Sequence, residues 1–250
     1  LRARSALGRW PPPHIAPLAL TLVRFVLAGF LLWLFLRLKR QHIPSGAFAA
    51  PWRYVILGGL FALYFTLMFE GLKTAPPVSA AAVFATTPLM TVGFGWLILG
   101  QRPTRRMALA VSVAAVGAVW VIFRADLGAL MAFELGRGEA IYFVGCVAHA
   151  LYIPLVRRFN RGEGELVFTL GTILGAIAGL GLVGLPAVLA TDWAALPPIV
   201  WGTIGYTAVF ATVTTFTLTQ FASLRIPAAN VMAYSYIVPV WVIVWELRYA

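Results

Sequence analysis

Long stretches of this chain carry no charged residue, and this property constrains the fold more than any other. No charged side chain lies between Lys73 and Arg102. A helix of about 20 apolar residues is long enough to cross a bilayer. Of the 250 residues, 61% are hydrophobic and 11% are charged, whereas a soluble domain has about 45–50% and about 25%. The sequence therefore predicts membrane spans instead of a water-soluble core.

Eight apolar runs follow one another, separated by short charged or Pro/Gly-rich connectors. Apolar and polar residues do not alternate within the runs, which favours helices over strands. The predicted fold is an all-α membrane protein, a polytopic helix bundle with eight recognisable spans. The runs are Ile15–Leu36, Tyr54–Leu72, Val78–Leu99, Met107–Phe123, Ala140–Val156, Leu166–Leu189, Ile199–Phe221 and Ile226–Trp245.

The net charge of +11 comes from basic residues that lie mostly in the connectors. If the chain crosses the membrane at every run, eleven basic residues lie on one side and seven on the other. The richer side is predicted to be cytoplasmic. The basic residues form no continuous face and no nucleic-acid-binding motif is present, so nucleic acid is not an expected partner.

The second half of the chain repeats part of the first. Residues 62–90 align with residues 213–241 at an offset of 151 without a gap, with six identities in 29 positions. Pro76 and Pro88 fall on Pro227 and Pro239 in this alignment. The alternative is chance similarity between two apolar segments. The repeat predicts one further span at each end, and hence ten spans in two five-span copies. An odd number of spans per copy places the second copy upside down in the membrane, as in many secondary transporters.

Several segments of the chain resemble EamA-type members of the drug/metabolite transporter superfamily. PLALTLVRFVLAGFLLWLFLRLKR is similar to the second helix of that family. FEGLKTAPPVSAAAVFATTPLMTVGFGWLILGQRPTRRMALAVSVAAVGAVWVIF is similar to its third to fifth helices, and FASLRIPAANVMAYSYIVPVWVIVWE looks like the second copy. Two positions depart from the family pattern: Gln101 stands where glutamate is frequent, and Glu246 follows Pro239 by only seven residues.

The resemblance implies a ten-helix transporter of the bacterial inner membrane that exports small metabolites, often amino acids. The aromatic amino-acid exporter branch is the nearest expectation. It further implies two EamA-like repeats, at residues 1–125 without the first helix and at residues 138–250 without the last. A small-molecule substrate and the lipid bilayer are the expected partners, and no cofactor is expected.

The run Val78–Leu99 contains a proline flanked by hydroxyl groups. Pro88 is expected to kink this helix because it donates no backbone hydrogen bond and clashes with the preceding turn. Pro239 is expected to do the same in the second copy. Thr86 or Thr87 is expected to help satisfy the freed carbonyl. A kinked helix of this kind either lines a polar cavity or only packs against its neighbours.

Tyrosine and hydroxyl side chains in the runs are the candidates for a substrate cavity. Aromatic faces and a few hydrogen bonds would hold an amphipathic solute. The alternative for tyrosines near span ends is an anchoring role at the membrane interface. The candidates are Tyr64, Thr87, Tyr152, Tyr206, Thr214, Tyr234, Ser235 and Tyr236.

Arg24 and His149 lie inside the runs and Glu246 directly follows the last run; all three are candidates because burying charge in a bilayer is costly. Arg24 is a candidate contact for a substrate carboxylate, with snorkelling to the interface as the alternative. His149 is a candidate for proton coupling because histidine titrates near neutral pH; the alternative is a histidine bonded to a nearby carbonyl. Glu246 is a second coupling candidate.

Other classes of function are less well supported by the residues. Cys146 is the only cysteine, so a cysteine-based metal site and an internal disulfide are not expected. No intramembrane-protease or hydrolase motif and no phosphate-binding loop is present, so the chain is predicted not to be an enzyme. A lipid-linked or nucleotide-sugar carrier of the same superfamily stays open, although its cavity would need more cations than Arg24 supplies.

Overall fold

The computed structural model describes residues 14–41, 43–44, 46–123, 126–132 and 136–237. A backbone that faces lipid has no water to bond with, so a spanning segment satisfies its polar groups within a helix. The elements in chain order are α1 (Pro17–Leu38), α2 (Trp52–Gly71), α3 (Pro77–Phe84), α4 (Thr87–Leu99), α5 (Arg105–Ile122), α6 (Leu127–Met131), α7 (Arg137–Phe159), α8 (Glu165–Leu189), α9 (Pro198–Tyr206), a π-helical segment (Thr207–Thr214), α10 (Thr215–Arg225), α11 (Ala228–Ala233) and a 3-10 turn (Tyr234–Ile237).

Six stretches are long and apolar enough to cross a membrane, which confirms an all-helical polytopic membrane protein. Each coincides with one of the predicted runs. The fourth predicted run forms α5, a helix of 18 residues, and the eighth extends beyond the described residues. The six stretches are Pro17–Leu38, Trp52–Gly71, Val78–Leu99, Arg137–Phe159, Glu165–Leu189 and Pro198–Arg225.

The chain divides into two compact units, and each takes residues from both sequence halves. The first unit contains residues 1–62 and 161–218, and the second contains residues 63–160 and 219–250. Two of the three boundaries between the units therefore fall inside α2 and α10, and the third lies between α7 and α8.

Small residues hold the first unit together. A Cβ atom added to Gly58 would overlap the backbone of Gly175 and Ala176, so α2 and α8 meet backbone to backbone at these glycines. Such close approach is the usual basis of helix packing in lipid, where apolar surface gives little drive to associate. α1 also packs along α8 and against the π-helical segment. The ring of Phe216 lies 5.5 Å from Phe25, measured between centroids.

The π-helical segment interrupts the span formed by α9 and α10. Its wider turn lets threonine hydroxyls donate to carbonyls five residues back. Thr212 donates to Thr207 (3.2 Å), and Thr214 donates to Val209 (3.0 Å). Short π-helical stretches inside α-helices often mark functional positions.

The second unit is built around α7. α3, α4 and α11 pack against this helix, and α11 also packs against α4. The first backbone N–H of α11, at Ala228, donates to Oε1 of Gln101 (3.2 Å). A helix start leaves backbone N–H groups unsatisfied, so the amide of Gln101 supplies an acceptor at this helix start.

Candidate functional site

The candidate site lies in the second unit, at the interruption between α3 and α4. α3 ends at Phe84, α4 begins at Thr87, and Pro88 is in the first turn of α4. Proline has no N–H for the carbonyl four residues earlier and its ring clashes there. The hydroxyl of Thr86 donates to the carbonyl of Val83 (2.7 Å), one turn back. Regular α-helix is therefore interrupted in mid-span, at Ala85 and Thr86.

Four aromatic side chains from three helices meet beside this interruption, and we call them the aromatic cluster: Tyr64, Phe84, Tyr142 and His149. The rings of Tyr64 and His149 are stacked, with centroids 4.6 Å apart and planes at 30°. The centroid of Phe84 lies 6.1 Å from that of His149, and the Tyr64 and Tyr142 centroids are 6.3 Å apart. α7 contributes two members because residues seven apart share a helix face.

Polar atoms line the same face of α7. Tyr142 and Cys146, four residues apart, belong with Tyr64 to one buried cluster. Thr87, in the first turn of α4, lies next to the Cys146 thiol. Tyr64, Tyr142, Cys146 and Thr87 are buried, whereas Phe84 and His149 are half-buried. The cluster thus has a closed interior and a partly accessible edge.

Tyr236, in the second copy of the repeat, contacts the backbone at the same interruption. The Tyr236 hydroxyl donates to the carbonyl of Ala85, at a distance of 3.0 Å. Ala85 directly follows Phe84, so Tyr236 meets the chain one residue from the edge of the aromatic cluster. Ser235 donates to the carbonyl of Met232 (2.6 Å) within its own turn. Tyr234 is 71% exposed.

Tyr152 lies deeper in the second unit, further along α7. Its hydroxyl accepts a hydrogen bond from Nε2 of Gln220 (2.9 Å), and both side chains are fully buried. Sequence reasoning named Tyr152 and missed Gln220, because it searched for aromatic and titratable residues. Thr91 donates to Thr87 one turn back (3.0 Å) and lies 3.4 Å from the carbonyl of Ala150 on α7.

The remaining predicted residues lie elsewhere. Arg24, Tyr206 and Thr214 belong to the first unit. Arg24 is half-buried, and its guanidinium carbon lies 5.4 Å from the centroid of the Phe25 ring. Tyr206 is 65% exposed and its ring lies 5.0 Å from that of Phe210, and Thr214 is exposed on the π-helical segment. Pro239 and Glu246 lie outside the described residues.

The first unit contains a buried ion pair that the sequence did not reveal. Arg53 donates to Oε1 of Glu163 (2.7 Å), to the carbonyl of Ala50 (3.3 Å) and to the carbonyl of Ala47 (3.3 Å). Oε2 of Glu163 accepts from the backbone N–H of Arg161 (2.7 Å). Only 1% of the Arg53 side chain and 6% of the Glu163 side chain are exposed.

The electrostatics of this pair are typical of a structural ion pair. Burial alone would raise the pKa of Glu163, but the hydrogen bonds from Arg53 and from backbone N–H groups outweigh it. Its pKa is therefore lowered from the usual value. In the sequence, Arg53 is one of the basic residues between the apolar runs, whose predicted role is to set topology. Several arginines lie close to Glu163 in the sequence, so the sequence did not indicate which cation this carboxylate would bind.

No group of three or more His, Cys, Asp or Glu residues that could hold a metal ion occurs among the described residues. The aromatic cluster contains ring faces, the hydroxyls of Tyr64 and Tyr142, and the imidazole of His149. The hydroxyl of Thr87 and the thiol of Cys146 lie next to it. This chemistry suits an uncharged or amphipathic solute better than a phosphorylated one.

Comparison with known proteins agrees with this architecture. The model of the EamA-like transporter family matches residues 5–123 and again residues 136–248. The chain is 28% identical over 213 residues to an uncharacterized transporter, YyaM, of Bacillus subtilis (strain 168), covering 83% of this chain and 68% of YyaM. It is 24% identical over 246 residues to an uncharacterized inner membrane transporter, YedA, of Escherichia coli (strain K12), covering 95% and 73%.

A solved crystal structure is similar in fold, with a TM-score of 0.74. The match covers 94% of this chain and 79% of the other, at 21% identity. At that identity the likeness supports the fold and carries no information about substrate.

Proposed function

Since this chain belongs to the EamA-like transporter family, with two matches of the family model along its length, it is a multi-pass membrane transporter and not an enzyme. We propose that it is a secondary transporter of the inner membrane that exports small neutral amino acids, aromatic ones included. In this proposal the two copies of the repeat are inverted and the protein works by alternating access. The similar protein YedA of Escherichia coli is an inner membrane transporter.

The observation that carries the substrate proposal is the half-buried edge of the aromatic cluster. Phe84 and His149 present ring surfaces there, and the Tyr236 hydroxyl lies one residue from Phe84. A solute with an aromatic side chain would stack on these rings. Its polar end would bond to hydroxyls and to backbone carbonyls near the interruption, which is how largely apolar sites orient ligands.

The chemistry of the cluster also favours a neutral solute over a phosphate-bearing one. Its four members include no lysine and no arginine, whereas a sugar-phosphate or lipid-phosphate group calls for cations. Tyr64, Thr87, Tyr152, Tyr206, Thr214, Tyr234, Ser235 and Arg24 stay predictions for substrate contact. His149 stays the prediction for coupling to protons.

The test is flux in proteoliposomes. Vesicles containing the purified full-length protein are loaded with a panel of amino acids, and efflux is followed with and without a pH gradient. Saturable efflux of aromatic or other neutral amino acids is expected. Phe84→Ala is expected to raise KM about threefold to tenfold, since a ring-to-ring contact contributes about 0.5–1.5 kcal/mol.

The matched control is Phe143→Ala. Phe143 is on the same helix as His149 but is 43% exposed, outside the aromatic cluster, so its loss should leave KM unchanged. Absence of efflux for every amino acid tested, from protein that is folded, would contradict the substrate proposal. Vesicles loaded with nucleotide sugars or lipid-linked sugars then become the next arm of the panel.

His149→Gln tests the coupling role in the same assay. If His149 carries the transported proton, the glutamine variant should lose the response to a pH gradient and keep efflux down a substrate gradient. An unchanged response in this variant would remove His149 from the mechanism.

A further inference from the structure

The hydrogen bond between Tyr236 and Ala85 joins equivalent positions of the two copies. The repeat offset read from the sequence is 151, and residues 85 and 236 are separated by that number. The two positions are aligned, but one is tyrosine and the other alanine. The hydrogen bond therefore joins two positions that the repeat makes equivalent, but only residue 236 has a side-chain donor.

Local geometry supports the alignment on both sides of this bond. Pro76 precedes α3 with φ −59° and ψ 146°, and its counterpart Pro227 precedes α11 with φ −55° and ψ 143°. Both helices start at the next residue and both lose regular α-helical structure before the position of the second proline. The two copies thus build the same short helix from the same start.

Two equivalent points of a pair related by a two-fold axis approach each other only close to that axis. The Ala85 carbonyl and the Tyr236 hydroxyl meet this condition within the second unit, where α11 packs against α4. If the two inverted copies exchange conformations during transport, residue 85 adopts the conformation that residue 236 has here, and residue 236 adopts that of residue 85. The exchanged contact would need a side-chain donor at residue 85, and alanine has none.

We infer that Tyr236 is a positioning residue of the transport cycle, whose hydrogen bond to the Ala85 carbonyl stabilises the conformation described here and not the exchanged one. This inference rests on the alternating-access part of the proposed function. A contact present in one of two states shifts their populations by its own free energy. Tyr236 thus biases the resting protein toward one side of the membrane.

The bond also supplies a hydrogen-bond donor to a carbonyl beside the proline interruption. The interruption leaves backbone carbonyls without their helical partners. Ala85 follows the last residue of α3, and the hydroxyl of Tyr236 supplies a donor from the other copy. The donor is withdrawn in the exchanged state, so the interruption in the first copy is stabilised in one state only.

The test compares the ratio of two conformations in full-length protein. Lys39, in the first unit, and Arg158, in the second, are exposed and are replaced by spin-labelled cysteines. Distances between the labels are measured by pulsed electron paramagnetic resonance. Protein without the introduced cysteines gives the background from Cys146, which is fully buried.

Tyr236→Phe is expected to shift the ratio of the two conformations about threefold to tenfold away from the state that dominates in the wild type. Phenylalanine keeps the ring, so packing is preserved and only the donor is lost. Tyr54→Phe is the matched control, since the Tyr54 hydroxyl also donates to a backbone carbonyl, that of Ala47 (2.8 Å), but within the first unit; it should leave the ratio unchanged. An unchanged ratio in Tyr236→Phe, or an equal shift in both variants, would overturn the inference.

The double variant Ala85→Tyr with Tyr236→Ala moves the donor to the other copy and is expected to reverse the ratio. Ala85 is buried, so a tyrosine there strains the described conformation. If the double variant does not fold, the conformational ratio of Tyr236→Phe alone tests the inference. A folded double variant whose ratio moves no further than that of Tyr236→Phe would contradict the equivalence of the two positions.

Failure of the substrate proposal is distinguishable from failure of this inference. The conformational ratio is measured without substrate, so it responds to Tyr236→Phe even if no amino acid is transported. Conversely, amino-acid efflux with an unchanged ratio would leave the substrate proposal standing and remove the positioning role.

Discussion

The two units bury polar groups in different ways. The first unit buries a full ion pair, Arg53 and Glu163, at the end of a span, with hydrogen bonds to several backbone groups. The second unit buries rings, hydroxyls and a thiol beside a mid-span interruption. The first network consists of charges held in fixed geometry. The second consists of weaker contacts around a helix that cannot complete its own hydrogen bonds.

We interpret this difference as one between a structural role in the first unit and the proposed transport role in the second. A buried ion pair requires accurate geometry and complete hydrogen bonding, because each unpaired charge is costly. A site that opens and closes is better built from neutral groups, because breaking such contacts costs less. We therefore expect changes in the ion pair to affect stability most, and changes near the interruption to affect transport most.

The largest effect is expected for Arg53→Gln. The variant leaves Glu163 buried without its cation, a loss of about 3–5 kcal/mol for a buried pair. Unfolding in detergent, followed by circular dichroism over a denaturant series, measures it. Arg157→Gln is the control, since Arg157 is an exposed arginine in the last turn of α7. Equal stability of the two variants would show that the ion pair is not structural.

A smaller effect on the same pair is expected from acid. The pKa of Glu163 is lower in the folded protein than in the unfolded chain. Its contribution to stability is therefore complete above the unfolded value of about 4.3, and is lost as pH falls through the folded value. Protonation leaves both carboxyl oxygens in place, so the loss is below that of Arg53→Gln.

Unfolding midpoints measured from pH 7 down to about pH 3 check this dependence. The wild type should lose more stability over this range than Glu163→Gln, which cannot titrate at that position. Parallel curves for the two proteins would assign the acid sensitivity to other carboxyl groups.

The fold could be predicted from the sequence because lipid leaves few alternatives. Apolar length alone located the six helices that are long enough to span. The structure adds that Pro76 and Pro227, which the repeat alignment paired, each directly precede a helix. The resemblance to the EamA-type family is confirmed by the family model. These features depend on local sequence, which a single chain displays directly.

The polar contacts could not be predicted in the same way. Arg53 and Glu163 are 110 residues apart, and nothing in their local sequence distinguishes this pairing from others. Tyr152 and Gln220 are 68 residues apart and meet only because of tertiary packing. The contact of Tyr236 with Ala85 is different, because the repeat offset already related the two positions. An internal repeat thus carries some tertiary information that periodicity does not.

The smallest effect is expected for Tyr152→Phe, which tests whether the buried bond between Tyr152 and Gln220 in the second unit has a structural role. Tyr152→Phe removes the hydroxyl that accepts from Gln220 and leaves the buried amide short of a partner. The expected loss of stability is about 1 kcal/mol, because hydrogen bonds between membrane helices contribute modestly. Adding Gln220→Leu to this variant should recover part of the loss, since both polar partners are then absent.

Transport measured on the same proteins completes the comparison. Tyr152 is a predicted substrate contact, but it is fully buried and its hydroxyl is bonded. If its role is structural, Tyr152→Phe alters flux only as much as it alters the amount of folded protein. A rise in KM for Tyr152→Phe at unchanged stability would instead place this residue in contact with substrate. The site would then extend from the half-buried edge at Phe84 along α7, and the division between a structural interior and a transporting edge would have to be redrawn deeper in the second unit.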